Sequence, residues 1–194
     1  MKYMKLGFVS VLLCAVLAGC GGTVTRPDGA ASVATPLAKA QTRKATVQIS
    51  DEAKPKIAEN LRFSDAELVT MINRRLDLAG AISETAEYSV LVTVTDVRVR
   101  STFSAVMWGF MAGDDHITGT VELFNAERKP VHKFTVNASY ALGGLAGGQD
   151  SSRMGWLYDK FSELVVIELR GQTPAAAASQ GGAMTASESA PGSK

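Results

Sequence analysis

The tightest cluster of side chains that could bind a metal is the run Asp114-Asp115-His116. Carboxylates and imidazoles are common metal ligands, but adjacent residues point in different directions, so one cation would need further ligands from elsewhere. The other histidine, His132, is the nearest candidate by residue type. The simpler interpretation makes the acids solvated loop residues and His132 a hydrogen-bonded residue at the border of a strand. We therefore predict no metal site and no cofactor.

Other catalytic signatures are missing from the sequence. It contains no Gly-x-Ser-x-Gly nucleophile motif. The glycine-rich run Gly143–Gly148 precedes a predicted helix, where phosphates often bind, but Gln149 and Asp150 follow it instead of Gly-Lys-Ser/Thr. A mobile loop explains this run more simply. We predict that the chain is not an enzyme and has no catalytic residue.

An apolar segment stands where a loop between two strands is expected. Residues 105–113 include Met107, Trp108, Phe110 and Met111, which makes these four the candidate interface residues. If the segment is exposed, it forms an apolar patch that needs a partner, because Trp and Met are typical of protein and lipid contacts. If it folds back, it belongs to the core. The sequence leaves these two alternatives open.

The N-terminus has the pattern of a secretory signal peptide. Lys2 and Lys5 precede an uncharged apolar run of 13 residues, Leu6 to Ala18, which is shorter than the roughly 20 residues that span a bilayer as a helix. Glycines follow at once and would break a buried helix. Cys14 lies inside the apolar run and would be removed with it.

The end of this run, Leu17-Ala18-Gly19-Cys20, resembles the lipobox of bacterial lipoproteins. The resemblance implies that the Cys20 thiol receives a diacylglyceryl group, that residues 1–19 are removed, and that the new amine is acylated. It also implies an envelope protein held on a membrane by its lipid. In enterobacterial lipoproteins Asp at the next position retains the protein on the inner membrane, so Gly21 suggests the outer membrane, with the domain facing the periplasm.

Composition and charge define the rest of the chain. The 194 residues carry 20 Lys and Arg against 19 Asp and Glu, which argues against nucleic-acid binding by bulk charge. Residues 20–44 are rich in Gly, Ala, Thr and Pro and are predicted to be the lipidated N-terminus and a flexible tether. Residues 45–170 are predicted to be one folded domain, and residues 171–194 a disordered tail.

Hydrophobic periodicity predicts four strands and two helices within that domain. The strands are predicted over 45–50, 87–102, 117–126 and 131–140. A change of side-chain parity predicts a β-bulge near Thr95–Asp96 in the second of them. The first helix follows a capping box at Ser64–Glu67 and ends at Gly80, and the second is capped by Ser151 or Ser152. Residues 51–62 are ambiguous, and Pro55 argues against a helix that runs through them.

The predicted order is β-α-β-β-β-α, an α+β two-layer sandwich with a mixed sheet and two helices on one face. The first two strands should be parallel and the others an antiparallel meander. The arrangement resembles short envelope lipoproteins of uncharacterised function, and more loosely small periplasmic α/β subunits or docking modules.

From these patterns we expect a non-catalytic interaction or assembly module, with the membrane, through the lipid, and either an envelope protein or a second copy as partners. The alternative is a periplasmic metal-dependent enzyme or metal/ligand-binding protein that uses Asp114, Asp115 and His116.

Overall fold

The computed structural model describes residues 20–27, 41–59, 62–101, 113–141 and 150–171, with the side chains of Cys20 and Asp150 excepted. In chain order the elements are β1 (Cys20–Thr25), β2 (Thr46–Ile49), α1 (Ala53–Ala58), α2 (Asp65–Leu78), β3 (Ser89–Arg98), β4 (Asp115–Phe124), β5 (Pro130–Tyr140) and α3 (Asp150–Leu169). The predicted leader 1–19 and the predicted disordered tail from residue 172 onward lie outside the described residues.

The strands form one five-stranded mixed sheet in the order β1-β5-β4-β3-β2. β2 runs parallel to β3, and all other neighbours are antiparallel. The α+β fold class, the parallel first pair and the antiparallel meander are therefore confirmed. We call the end at which β1 and β4 begin the upper end, and the end at which β2, β3 and β5 begin the lower end.

Alternation along the strands places the core on one face of the sheet. Alternating residues of β3, β4 and β5 are buried there, among them Val90, Ile117 and Phe134, and the alternation in β3 shifts by one residue at the bulge. Helices α2 and α3 cover this face, and their apolar stripes belong to the same cluster of buried side chains. The predicted inner stripe of the last helix is buried throughout: Met154, Leu157, Phe161, Leu164 and Val165.

Two local predictions about backbone geometry are confirmed. The register of β3 against β4 shifts between Val94 and Asp96, so Thr95 is the additional residue of the predicted bulge. Ser64 caps α2, because its side chain accepts a hydrogen bond from the Glu67 N–H at 3.2 Å. Gly80 follows the helix with a φ of 64°, a conformation that favours glycine.

The tether prediction is wrong for Cys20–Thr25. These residues form β1, which pairs with β5 from Cys20↔Tyr140 to Thr25↔Thr135. The strand packs closely under α3, since a Cβ on Gly22 would meet the Leu164 side chain and, at 2.8 Å, the Asn137 carbonyl oxygen. Glycine and threonine are weak strand signals on their own, and the pairing depends on a distant strand that composition does not reveal.

Two helix starts also differ from the sequence prediction. Pro55 does not prevent α1, because it lies in the first turn, where a backbone N–H has no intrahelical acceptor. Helix α3 already includes Asp150, so neither Ser151 nor Ser152 is its cap. None of the described helices combines the length and the apolar character that a bilayer span requires.

Candidate functional site at the upper end of the sheet

The register places the predicted lipid-bearing residue at the upper end of the sheet. Both Cys20 and Asp115 pair with Tyr140, and Arg98 pairs with His116 beside them. The apolar segment 105–113 lies in the chain between the end of β3 and the start of β4, and both of these strand ends are at the upper end. Strand β5 also ends here, and α3 begins here. The candidate interface residues themselves, Met107, Trp108, Phe110 and Met111, lie outside the described residues.

A buried ion cluster closes the core at this end. The Asp115 carboxylate is fully buried and accepts hydrogen bonds from the Arg100 backbone N–H (2.6 Å) and from Arg153 Nη1 (2.7 Å). The Arg100 guanidinium adds contacts of 3.1 and 3.3 Å to the same carboxylate. Two buried cations thus share one buried anion, which compensates part of the cost of removing these charges from water.

The same two arginines also bind backbone carbonyl groups. Arg100 donates to the carbonyls of Gly113 (2.6 Å) and Tyr140 (3.2 Å), and Arg153 donates to the carbonyl of Arg100 (3.1 Å). These bonds join the end of β3, the start of β4, the end of β5 and the first turns of α3. The geometry identifies Asp115 as the centre of a structural clamp, with no lone pair directed at solvent.

Asp114 and His116 lie on the open face of the sheet, opposite to the helices. His116 Nε2 is 3.2 Å from Asp96 Oδ2, and His116 Nδ1 is 3.7 Å from Asp114 Oδ1. Lys56 donates to Asp96 at 2.8 Å, and Ser139 donates to Asp114 at 2.5 Å. This is a hydrogen-bonded surface network that flanks one imidazole with two carboxylates.

The charges of this network lower the pKa of both carboxyl groups. Burial raises the pKa of Asp96, but hydrogen bonds from Lys56 and His116 outweigh it, so the net pKa is below the usual value. The pKa of Asp114 is lowered in the same way: burial raises it, and the Ser139 hydrogen bond and the nearby His116 more than compensate. Both side chains stay ionised near neutral pH.

The three residues of the run Asp114-Asp115-His116 therefore do not converge on one site. Asp115 points to the helix face and Asp114 and His116 to the other, because successive strand residues alternate. Within the described ranges no group of three His, Cys, Asp or Glu side chains could hold a metal ion. The shared metal site of the alternative function has no support in this geometry.

His132 lies at the lower end, far from that run. Its Nε2 is 3.1 Å from Glu168 Oε1, and both side chains are buried. Arg26, which follows β1, donates its Nε to the same carboxylate at 2.6 Å. The hydrogen bond to Glu168 raises the pKa of Arg26. The prediction of a hydrogen-bonded border histidine is confirmed, and the cluster fastens the end of β1 to α3.

An aromatic pair is also part of the upper end. The rings of Tyr140 and Trp156 meet edge to face with centroids 5.3 Å apart, and both side chains are partly exposed. Tyr140 is the strand residue opposite Cys20, so the pair lies next to the first residue of β1. Phenol and indole rings of this kind are typical of boundaries between an apolar and an aqueous phase.

Sequence reasoning missed Arg100, Arg153 and Glu168. A signal existed for two of them, because Arg153 is four residues before Leu157 and Glu168 four residues after Leu164, so both fall on the inner stripe of α3. A charged residue on a buried helical stripe indicates an ion pair in the core. Arg100 has no such signal, because it alternates with the apolar residues Val97 and Val99 in the same way as Arg98, yet Arg98 is exposed and Arg100 is buried.

These features define a small α+β domain whose described acidic and basic groups mostly serve in ion pairs. The profile of the domain of unknown function DUF4410 matches residues 31–144, and the chain belongs to that family. No curated protein shows significant sequence similarity to this chain.

Among solved structures, the chain is similar to the PelC dodecamer from Paraburkholderia phytofirmans. One structure is 16% identical with a TM-score of 0.44 and matches 78% of this chain and 99% of that chain. A point variant of the same protein is 14% identical with a TM-score of 0.45, over 78% and 98% of the two chains. The similarity is a distant one and concerns the fold alone.

Proposed function

We propose that this chain is a lipoprotein of the outer membrane whose periplasmic domain is a non-catalytic interaction or assembly module. The observation that carries the proposal is Leu17-Ala18-Gly19-Cys20 directly after a short, uncharged apolar run with basic residues before it. The thiol is the nucleophile that such a modification requires, and several acyl chains together give a durable anchor.

Two features of the domain support a non-catalytic role. Asp115, the most buried acid of the candidate cluster, is saturated by two arginines and is thus no free base or ligand. His132 and Glu168 are likewise engaged with each other and with Arg26. General acid–base work needs a group that can reach a substrate, and these groups lie in closed ion pairs.

The lipid is tested by intact mass of the mature protein isolated from a bacterial membrane. We expect a chain that begins at Cys20 and carries the mass of a diacylglyceryl group with or without a third acyl chain. Cys20→Ser should abolish the added mass and release the protein from the membrane fraction. A mature chain that begins elsewhere, or an unmodified Cys20, contradicts the proposal.

The outer-membrane address is tested at Gly21. In Gly21→Asp the sorting signal of the enterobacterial type should move the protein to the inner-membrane fraction, whereas Gly21→Ser should leave it in the outer membrane. A Cβ at Gly21 meets no atom within 4 Å, so both variants should fold alike. Identical fractionation of the two variants would refute sorting by this residue.

The interaction role is tested at the apolar segment. Trp108→Ser with Phe110→Ser should lower the recovery of a crosslinked partner, or the oligomer size, without loss of thermal stability. Leu78→Ser is the matched control, because Leu78 is 77% exposed on α2 and its loss removes apolar surface elsewhere. Equal association of both variants and the wild type would contradict a role for this segment.

A further inference from the structure

We propose that the upper end of the sheet rests on the membrane surface, so that the strands stand away from the bilayer and the lower end faces the periplasm. The occupant of this end is a lipid surface. The proposal rests on the lipidation of Cys20 proposed above and adds an orientation, which lipidation alone does not determine.

Cys20 is joined to the folded domain without a spacer. A flexible tether of residues 21–44 would let the domain stand about 25–30 Å from its anchor and turn freely. Instead, Cys20 is the first residue of β1 and lies opposite Tyr140. Neighbouring strands are about 4.8 Å apart, so the lipid would be attached directly at the upper end of the sheet.

Strand β1 is firmly fixed to the rest of the domain. Its backbone pairs with β5 along six residues, and Gly22 lets Leu164 of α3 approach the strand closely. At the other end, Arg26 binds the buried Glu168. The strand is therefore held at both ends and along its length, so an anchor on Cys20 constrains the whole domain.

The side chains at the upper end also favour a lipid surface. Tyr140 and Trp156 form a partly exposed aromatic pair beside Cys20, and tyrosine and tryptophan favour the interface between lipid and water. The charges nearest to them in the clamp, on Arg100, Asp115 and Arg153, are buried and paired. The charges of the clamp therefore need no water, while the exposed carboxylates of this end, Asp96 and Asp114, lie on the open face of the sheet.

The orientation is tested with one dye on either end of the lipidated protein. Ser152→Cys places the dye at the exposed start of α3, at the upper end, and Glu127→Cys places it in the exposed turn between β4 and β5, at the lower end. Cys14 lies in the leader and Cys20 carries the lipid, so the introduced thiol is the only free one. The eleven residues of β5 separate the two ends by about 33 Å.

Each labelled protein is reconstituted in phosphatidylethanolamine–phosphatidylglycerol vesicles that contain an acceptor dye on the lipid head group. We expect energy transfer to be several-fold more efficient from position 152 than from position 127. Insertion of ten Gly and Ser residues between Cys20 and Gly21 should remove most of this difference. Equal transfer in the parent protein overturns the proposed orientation, and an unchanged difference after the insertion contradicts its fixation by direct attachment at Cys20.

Flotation of the vesicles separates the two proposals. If the labelled protein does not float, the lipid anchor is absent and the proposed function fails. If it floats and both labels transfer equally, the anchor stands and only the orientation is wrong.

Discussion

Arg153 Nη1 lies 2.7 Å from Asp115 Oδ2, and neither side chain is reached by solvent. The contact joins α3 to the first residue of β4 at the upper end of the sheet. Because Arg100 binds the same carboxylate, removal of Asp115 would leave two buried cations without their anion.

We therefore expect Asp115→Asn to lower the free energy of unfolding by about 3–5 kcal/mol, the usual cost of breaking a buried ion pair. Urea unfolding measures this value. Asp114→Asn is the control, because its side chain is 38% exposed and its contacts are worth at most about 1 kcal/mol. Similar losses in the two variants would refute the clamp.

Gly22 tests whether β1 belongs to the folded domain. Gly22→Val would place side-chain atoms against Leu164 and the Asn137 carbonyl, so the strand must leave its position or α3 must shift. We expect the backbone amides of Gly21–Thr25 to lose their protection against hydrogen exchange, with a destabilisation of about 2 kcal/mol.

The matched control for that change is Gly21→Val, because a Cβ at Gly21 meets nothing within 4 Å. It should preserve both stability and protection. Protected amides in Gly22→Val would mean that the close approach of α3 to β1 is wrong.

Tyr158 couples the two helices through its hydroxyl group, which accepts a hydrogen bond from the Ser64 N–H at 2.7 Å. Tyr158→Phe leaves that donor at the start of α2 without its partner, so we expect a loss of about 1–2 kcal/mol in chemical denaturation. Burial raises the pKa of Tyr158 to about 12. A spectroscopic titration should accordingly show one tyrosine that ionises later than the others, and its disappearance in the variant identifies it.

The network around His116 predicts a dependence of stability on pH. The pKa values of Asp96 and Asp114 are lower in the folded chain than the unfolded value of about 3.9. Such groups stabilise the fold above the unfolded pKa, and this contribution is lost as the pH falls through the folded pKa. Since both side chains are more than a third exposed, we expect at most about 1 kcal/mol from each.

Urea unfolding of the double variant Asp96→Asn, Asp114→Asn checks this dependence. Wild type should be the more stable protein at pH 7, and the two curves should approach each other below pH 4. A difference that stays constant into the acid range would show that ionisation of these two carboxyl groups does not contribute.

Much of the fold was accessible from periodicity and local motifs. The alternation of valines in β3, the parity change at Thr95 and the Ser64 cap each leave a local trace in the sequence, and each is confirmed. β1 leaves no such local trace in the sequence, because its pairing depends on β5, which ends at Tyr140. Local patterns cannot reveal a partner so far along the chain.

The same limit applies to the site. Adjacency of Asp114, Asp115 and His116 suggested a shared role, yet strand alternation sends the middle carboxylate to the opposite face. Its true partners, Arg100 and Arg153, come from the end of another strand and from a helix. Only the assembled fold brings them together.

The pairing of β1 with β5 has a consequence for the proposed export and lipidation of the chain. Tyr140 is 120 positions beyond Cys20, so in a chain exported as proposed the acceptor strand would cross the membrane long after the N-terminus. Contacts between residues that are so far apart in the sequence form late in folding. Under that proposal Cys20 would pass through a period as unpaired, extended chain, which is the form that a modifying enzyme binds, before the folded domain incorporates it into the sheet.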